Sequence, residues 1–302
     1  MSARTMSRRS FMTKGAIASA AALAVGAGLA GCSGSGAQKV KPAILVVSFG
    51  TSFNDSRHIT IGAIESAIRE KFPDYDVRRA FTSQIIIDKL KERDGVVIDN
   101  VEEALDRLVA DKVQEIVVQP THLMNGYEYD DLAKALESYK DKFKKVALGE
   151  PLLSSDDDYY KVIAALESVS ERYDDGKTAL VFMGHGTEAE SNKVYSTLQD
   201  KLTAEGKKNY FIGTVEATPT IEDVLKGVKA AGLKKAVLRP LMVVAGDHAN
   251  NDMADLEDPE SWASQLTAAG IEVECVLEGL GQIVEIDELY AAHAADAIAK
   301  AQ

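Results

Sequence analysis

The sequence contains a long internal repeat, and the repeat limits which folds are possible. The segment AILVVSFGTS (43–52) is matched by ALVFMGHGTE (179–188), and EIVVQPTHLMNGYEYDDL (115–132) is matched by KAVLRPLMVVAGDHANNDM (235–253). In this alignment Gly50 pairs with Gly186, and Pro120 pairs with Pro240. Because similar segments fold in similar ways, the repeat predicts two similar lobes that face each other across a cleft.

Short apolar runs alternate with amphipathic stretches along both halves of the chain. The predicted strands lie at 43–50, 75–81, 115–123, 144–151, 179–186, 209–215, 235–244 and 271–279, and helical stretches such as 100–112 and 220–232 separate them. Continuous apolar strands separated by helices are typical of parallel sheets covered on both faces. The predicted fold class is α/β, with two Rossmann-like lobes at 42–152 and 153–302, each a parallel sheet flanked by helices. Ligands of such sheets bind beyond the carboxyl ends of the strands.

The first 32 residues resemble an export signal rather than part of the fold. Residues 7–14, SRRSFMTK, have the pattern of a twin-arginine signal, and an Ala- and Gly-rich apolar stretch follows at 15–30. LAGC at 29–32 has the pattern of a lipoprotein cleavage box, which predicts lipidation of Cys32 and a flexible linker at 33–41. The expected location is periplasmic, with a lipid anchor as the sole membrane contact. The alternative is a plain signal peptide with an incidental cysteine.

Composition excludes some classes of function. Removal of residues 1–32, which carry four basic and no acidic side chains, changes the formal net charge from −13 to −17. A chain this acidic, without a basic run, is a poor nucleic-acid binder. Cys275 is the one cysteine left after Cys32, so no internal disulfide can form, and we interpret it as a small core residue. Beyond the first 32 residues no P-loop or GxGxxG pattern is present, so no organic cofactor is expected.

Positions at which the two halves of the repeat differ indicate candidate functional residues. The position of Phe49 is occupied by His185 in the second half, and that of Glu128 by His248. Glu216 follows the strand between these two histidines, so three potential ligands stand at strand ends about one βαβ step apart. The carboxyl ends of neighbouring parallel strands share one edge of the sheet, where these side chains can converge. Two imidazoles and a carboxylate suit Co²⁺, Fe²⁺, Ni²⁺ or Zn²⁺ and leave coordination positions open.

Each of the three residues also has a plain structural interpretation. His185 can be a solvated loop residue, Glu216 can cap the helix that begins near Thr218, and His248 can balance its acidic surroundings. The acids that follow His248, at 252, 255, 257 and 258, are either guides for cations or a solvated helix face, and we favour the solvated face. The coincidence of three such residues at successive strand ends favours a metal site.

Six motifs together resemble the anaerobic-pathway cobaltochelatases of the CbiK type, from about residue 43 to the C-terminus. They are VSFGTSFNDSR, RAFTSQIII, QPTHLMNGYEYDDL, FMGHGTEAESN, GTVEATPTIEDV and RPLMVVAGDHANNDMA. The resemblance implies an enzyme of cobalamin and tetrapyrrole biosynthesis that inserts Co²⁺ into sirohydrochlorin, with His185, Glu216 and His248 holding the metal. The export signal departs from the family pattern, since ordinary members act in the cytoplasm.

The expected reaction removes two pyrrole protons while a partly dehydrated metal enters the ring. We expect His185 to act as a base beside the metal, because imidazole titrates near neutral pH. Glu216 is also expected to take part in catalysis. Co²⁺ is the expected substrate metal, and Fe²⁺ is also accepted by this ligand set. The alternative function is an exported protein that binds or delivers haem or metal on a chelatase scaffold.

Sirohydrochlorin carries eight carboxylates, so the cleft needs hydrogen-bond donors. The candidate substrate-binding residues are Ser48, Thr51, Ser52, Arg57 and Arg79, and arginines suit carboxylates best. Shaping of a tight turn is an equally good interpretation of Ser48 and Ser52.

The remaining histidines receive separate interpretations. For His122 we favour a hydrogen-bonded structural role. The alternatives are that it binds the tetrapyrrole, or a second metal or haem at a subunit contact in a homo-oligomer. His58 and His293 are interpreted as ordinary surface residues.

Overall fold

The computed structural model describes residues 40–301, which form one compact unit. The eight strands of this part of the chain are β1 (Ala43–Ser48), β2 (Asp76–Phe81), β3 (Glu115–Pro120), β4 (Lys145–Leu148), β5 (Thr178–Gly184), β6 (Tyr210–Thr214), β7 (Lys235–Pro240) and β8 (Glu272–Cys275). They form two four-stranded parallel sheets with the orders β2-β1-β3-β4 and β6-β5-β7-β8. The two orders are the same, as the repeat predicts, and the α/β fold class is confirmed.

The strand register reproduces the repeat residue by residue. In the first sheet Val47 lies opposite Ala80 and Pro120, and in the second Met183, which aligns with Val47, lies opposite Gly213 and Pro240. In each sheet the second strand in the chain pairs with one side of the first strand, and the third strand pairs with its other side. This reversal between β1 and β3, and between β5 and β7, places the loops that follow these strands around a crevice.

Helices flank both sheets. Within the described residues they are α1 (Asn54–Ile59), α2 (Ile61–Lys71), α3 (Gln84–Asp94), α4 (Val101–Ala110), α5 (Tyr127–Glu137), α6 (Asp156–Ser170), α7 (Lys193–Ala204), α8 (Ile221–Ala230), α9 (Trp262–Ala268) and α10 (Val284–Lys300). Short 3-10 turns lie at 140–142, 171–173, 190–192 and 280–282, and a π-helical turn spans Ala249–Met253. The starts of α4, α6 and α8 carry reciprocal capping boxes, such as Asn100 with Glu103, which satisfy backbone donors that the first helical turn leaves free.

The core explains why the strands are apolar throughout. Every residue of β1 and of β5 is buried, as expected for strands covered on both faces. The largest cluster joins side chains of both sheets, including Ile44 and Val46 from β1 and Leu180 and Phe182 from β5. The two lobes therefore share one continuous core, which fixes the positions of their loop edges.

The C-terminal helix packs on the first lobe and buries a histidine that we expected at the surface. Although α10 follows the second sheet in the chain, it packs against α2 and β3 of the first lobe and against α6. His293 on this helix is buried, whereas we expected a surface residue. Its Nδ1 lies 3.1 Å from the Glu150 carbonyl oxygen and its Nε2 lies 3.0 Å from Asp158 Oδ1. Because a charged partner offsets burial, His293 is a structural residue that joins α10 to α6.

The predicted export signal, Cys32 and most of the predicted linker lie outside the described residues. The predicted boundary between residues 152 and 153 falls in the loop between β4 and α6. Among residues 40–301, no helix has both the length and the apolar character needed to cross a bilayer. Cys275, at the end of β8, is half-buried against the core of the second lobe.

Candidate functional site

A cleft of about 540 Å³ lies where the loops after β1, β3, β5 and β7 meet. The first lobe contributes residues 48–53, 121–124 and 126–129, and the second contributes residues 185–188, 241–244 and 246–248, with Glu216 and Tyr195. Much of the wall is apolar, from side chains such as Phe49, Phe53, Met124 and Val243. Phe49 is 49% exposed. An open apolar wall of this kind suits a large flat ligand better than a small polar one.

The three predicted metal ligands converge at one side of this cleft. His185 follows β5, Glu216 follows β6 and His248 follows β7, and one potential ligand atom from each lies within 4.8 Å of the others. The imidazole rings of His185 and His248 meet edge to face with centroids 4.6 Å apart. Glu216 Oε2 lies 3.7 Å from His185 Nδ1. Within residues 40–301 this is the one group of three or more such side chains with the spacing of a metal site.

Backbone contacts bring the loops of His185 and Glu216 together. The backbone N–H of Glu216 donates to the carbonyl of His185 at 2.9 Å. Gly186 has a φ of +89°, and a Cβ at this position would lie 2.8 Å from the backbone nitrogen of Ala217. Glycine is therefore required at 186 both for the turn and for the close approach of the two loops. This explains why a glycine directly follows the histidine at the strand tip.

The loop of His185 is also held from the helix side. The Gly186 N–H donates to the hydroxyl of the buried Tyr195 on α7 at 3.3 Å. Asn192 accepts from the Thr187 N–H at 3.0 Å and donates to the Thr218 carbonyl at 2.7 Å. These bonds tie the loop after β5 to α7 and to the loop after β6.

His248 is oriented by an acid that we had interpreted as part of a solvated helix face. Asp252 Oδ2 lies 2.8 Å from His248 Nδ1, one turn along the π-helical segment. A carboxylate only accepts at neutral pH, so Nδ1 carries the proton and the Nε2 lone pair is free for a ligand. The Asp252 side chain is 43% exposed, so it contacts solvent as predicted and orients His248 as well. A carboxylate behind a histidine is the usual outer partner of a metal-binding imidazole.

Glu216 does not cap the helix that follows it. The cap of α8 is Thr220, paired with Asp223, and the Glu216 side chain is 56% exposed toward the cleft. The carboxylate thus remains available for a ligand.

Three of the predicted substrate-binding residues line the cleft, and two do not. Ser48, Thr51 and Ser52 are buried in the wall beside β1, where the Ser48 hydroxyl accepts from Thr121 Oγ1 at 2.8 Å. Arg79 instead makes two hydrogen bonds to Glu65 on α2, at 2.5 and 2.8 Å, and does not line the cleft.

Arg57 also lies behind the cleft wall, with its guanidinium 3.5 Å from the carbonyl oxygen of Thr51. Burial lowers the pKa of Arg57, and the nearby Arg79 and Arg93 lower it further. Arg93, which the sequence analysis did not select, donates to the Ser52 carbonyl at 2.6 Å. Substrate binding by Arg57 and Arg79 stays a prediction that their positions do not support. Arg57 and Arg93 contact the loop after β1, and Arg79 pairs with α2.

His122 lies at the floor of the cleft, 9% exposed. Neither ring nitrogen has a hydrogen-bond partner among the described residues, so the hydrogen-bonded structural interpretation is wrong. Burial lowers the pKa of His122 to about 4, and the ring is therefore neutral near pH 7. His122 also stands outside the group of potential metal ligands, and a second metal or haem site there stays a prediction.

Glu128 is the cleft residue that the sequence analysis missed as a functional candidate. It lies in the first turn of α5 and points into the cleft from the first lobe. Burial raises the pKa of Glu128, the charge of His185 opposes this rise, and Asp131 adds to it. Its alignment with His248 in the repeat was the available signal, because that alignment places it at the same edge of its own lobe.

Comparison with known proteins fits this geometry. The model of the cobalt chelatase family CbiK matches residues 42–299. The chain belongs to the CbiK cobalt chelatase family. It is 38% identical over 254 residues to the sirohydrochlorin cobaltochelatase of Salmonella typhimurium, a match that covers 84% of this chain and 95% of the relative. It is 33% identical over 264 residues to the sirohydrochlorin cobaltochelatase CbiKC of Nitratidesulfovibrio vulgaris, covering 85% and 91% of the two chains.

Solved chelatases share the fold of this CbiK-family protein at low identity. SirB from Bacillus subtilis with Fe³⁺ superposes with a TM-score of 0.60 at 14% identity, over 86% of this chain and 97% of that chain. CbiX, the terminal enzyme of sirohaem biosynthesis in denitrifying bacteria, gives a TM-score of 0.51 at 16% identity, over 84% and 99%. These matches confirm the two-lobed chelatase-like architecture.

Proposed function

We propose that this protein is a sirohydrochlorin cobaltochelatase that inserts Co²⁺ into the macrocycle and releases two protons. The observation that carries the proposal is the convergence of His185, Glu216 and His248 at one side of an open cleft. With three protein ligands, a divalent ion keeps open positions through which it can pass to a second set of nitrogens. Sirohydrochlorin is the substrate because both similar cobaltochelatases act on it.

The cleft has the polarity that a carboxylate-rich macrocycle requires. Phe49, Phe53 and Met124 offer apolar surface for the flat face of the ring. Ser48, Thr51 and Ser52 place hydroxyl groups beside it and can bind the ring's carboxylates. The ring would thus lie against the first lobe while the metal arrives from the second.

Two of the four ring nitrogens carry a proton, and each of these two must lose it to bind the metal. As the N–H bond breaks, the electron pair stays on the ring nitrogen and becomes the lone pair that binds cobalt. His185 Nδ1 lies 2.9 Å from the Gly186 carbonyl and donates to it, so Nε2 is the free nitrogen, which can hold the metal and, once the metal has moved to the ring, accept one proton. Glu128 faces the cleft from the opposite lobe and is placed to accept the second proton.

We also propose that the protein acts outside the cytoplasm, exported by the twin-arginine route and lipid-anchored through Cys32. The support is the sequence of residues 7–32 alone. Labelling of cells with a radioactive fatty acid would show incorporation into the wild type and none into Cys32→Ser.

The function is tested with the protein lacking residues 1–32, which retains the entire compact unit. Under anaerobic conditions the absorbance of sirohydrochlorin is followed with Co²⁺ and, separately, with Fe²⁺. The proposal predicts cobalt insertion well above the rate without protein. Insertion at the uncatalysed rate, together with tight binding of haem or metal, would contradict the chelatase function and support a delivery protein.

A further inference from the structure

The backbone around His122 is fixed from beneath the cleft. The His122 carbonyl accepts from the Leu152 N–H at 3.0 Å and from the Tyr290 hydroxyl at 3.3 Å. The same hydroxyl donates to the Thr121 carbonyl at 2.9 Å, and Tyr290 is fully buried. A long-range contact from α10 therefore holds the end of β3, and the imidazole ring is presented to the cleft floor by a rigid support.

The imidazole ring of His122 is buried without a hydrogen-bond partner. Its side chain is 8% exposed, and both nitrogens are shielded from solvent and lack a partner among residues 40–301. A buried polar group without a hydrogen bond costs free energy, and an apolar side chain of similar size would avoid that cost. Such groups are rare in native proteins and require an explanation. The cost at His122 points to a function for this ring in the cleft.

One charged group stands close to the ring. Glu128 Oε2 lies 3.8 Å from His122 Nε2, which is about 1 Å longer than a hydrogen bond. Glu128 sits in the first turn of α5, and its side chain is 51% exposed to the cleft, so the carboxylate has room to move. Burial raises the pKa of this carboxylate, as does Asp131 on α5, whereas His185 across the cleft lowers it.

We propose that His122 is a positioning residue for Glu128. When the macrocycle fills the cleft, the Nε2–H of His122 closes on the Glu128 carboxylate and holds it toward the ring nitrogens. The inference rests on the proposed function, because it gives Glu128 a defined orientation for accepting the second proton. His122 keeps its own proton throughout, since its burial favours the neutral ring.

Substitution of His122 by Met and by Gln separates this role from packing. Met fills a similar volume without a donor, whereas Gln retains an N–H donor at about the position of Nε2. A misplacement of about 1 Å can cost up to about 100-fold in rate. We therefore expect His122→Met to lower kcat for cobalt insertion by about 10- to 100-fold, with the KM for Co²⁺ unchanged and the melting temperature equal to or above that of the wild type. His122→Gln should recover most of the lost rate.

A double-mutant cycle tests whether the effect passes through Glu128. In a Glu128→Ala background, which retains the proton acceptor of the second lobe, His122→Met should cause no further loss of kcat. A wild-type kcat in His122→Met, an independent loss in the Glu128→Ala background, or a lowered melting temperature would each overturn the proposal. Because the wild type is measured in the same assay, these results leave the test of the chelatase function separate.

Discussion

Tyr195→Phe removes one oxygen from the support of the His185 loop and leaves the aromatic ring in place. The Tyr195 ring is 1% exposed, and its hydroxyl accepts the Gly186 N–H at 3.3 Å. Burial raises the pKa of Tyr195 to about 12, so the hydroxyl stays protonated at any working pH. After the substitution, the Gly186 N–H directly beside His185 has no acceptor at this place.

The magnitude follows from the length and burial of that bond. A buried donor that loses its partner costs about 1–3 kcal/mol, and a bond of 3.3 Å at a cleft edge belongs at the lower end. A loss of about 1 kcal/mol lowers the melting temperature of a domain of this size by about 2–4 °C. Because Gly186 follows His185, we expect the cobalt insertion rate to fall as well, by about 10-fold.

The assay is a thermal unfolding curve together with the rate of cobalt insertion for the same preparation. Tyr210→Phe is the matched control, because its hydroxyl donates to Asp174 Oδ2 at 3.0 Å and neither residue lines the cleft. The control should lose stability while keeping the wild-type rate. Unchanged melting and unchanged rate in Tyr195→Phe would refute the reasoning that this hydroxyl supports the site.

Three further substitutions test other parts of the structure. Burial raises the pKa of Asp287 to about 8, above its unfolded value of about 3.9. The free energy of unfolding should therefore fall as pH rises from 4 to 8, by up to about 1.4 kcal/mol per pH unit. Asp287→Asn should flatten this pH dependence in urea unfolding curves, and an unchanged pH dependence would contradict it. Asp252→Asn should weaken Co²⁺ binding about 10- to 100-fold in calorimetry by freeing the His248 ring, and wild-type affinity would exclude this orienting role. Gly186→Ala should lower both stability and insertion rate, because its Cβ would meet Ala217; a wild-type melting curve would show that the loops can separate without cost.

The repeat and the strand ends made the main features predictable. Apolar strands separated by helices allow few arrangements, and a repeat with matched Gly50 and Gly186 requires the same arrangement twice. Parallel strands then bring His185 and His248 to one edge whatever the details of packing. The two-lobed fold and the meeting of the three predicted ligands follow from these local signals.

Contacts between distant parts of the chain were not predictable. His293 looks like a helix-surface residue until α10 docks on α6 and brings it to Asp158, 135 positions earlier. Arg79 looks free for a ligand until β2 places it against Glu65. In both cases the partner is set by tertiary packing, which spacing along the chain does not encode.

One further contact was missed although the spacing allows it. Asp252 follows His248 by four positions, a spacing at which helical side chains lie on one face. The acids after His248 were interpreted together as a solvated face, whereas the carboxylate of Asp252 also lies against the His248 ring. The sequence pattern does not show which neighbour a partly exposed acid contacts.

The most direct test of the central claim is the rate of cobalt insertion into sirohydrochlorin by His185→Ala and His248→Ala. His58→Ala, which removes an exposed histidine on α1 that does not line the cleft, is the control. If the converging histidines carry the metal to the ring, both variants remain folded and lose insertion, while the control keeps the wild-type rate. Insertion at the wild-type rate by both folded variants would contradict the account.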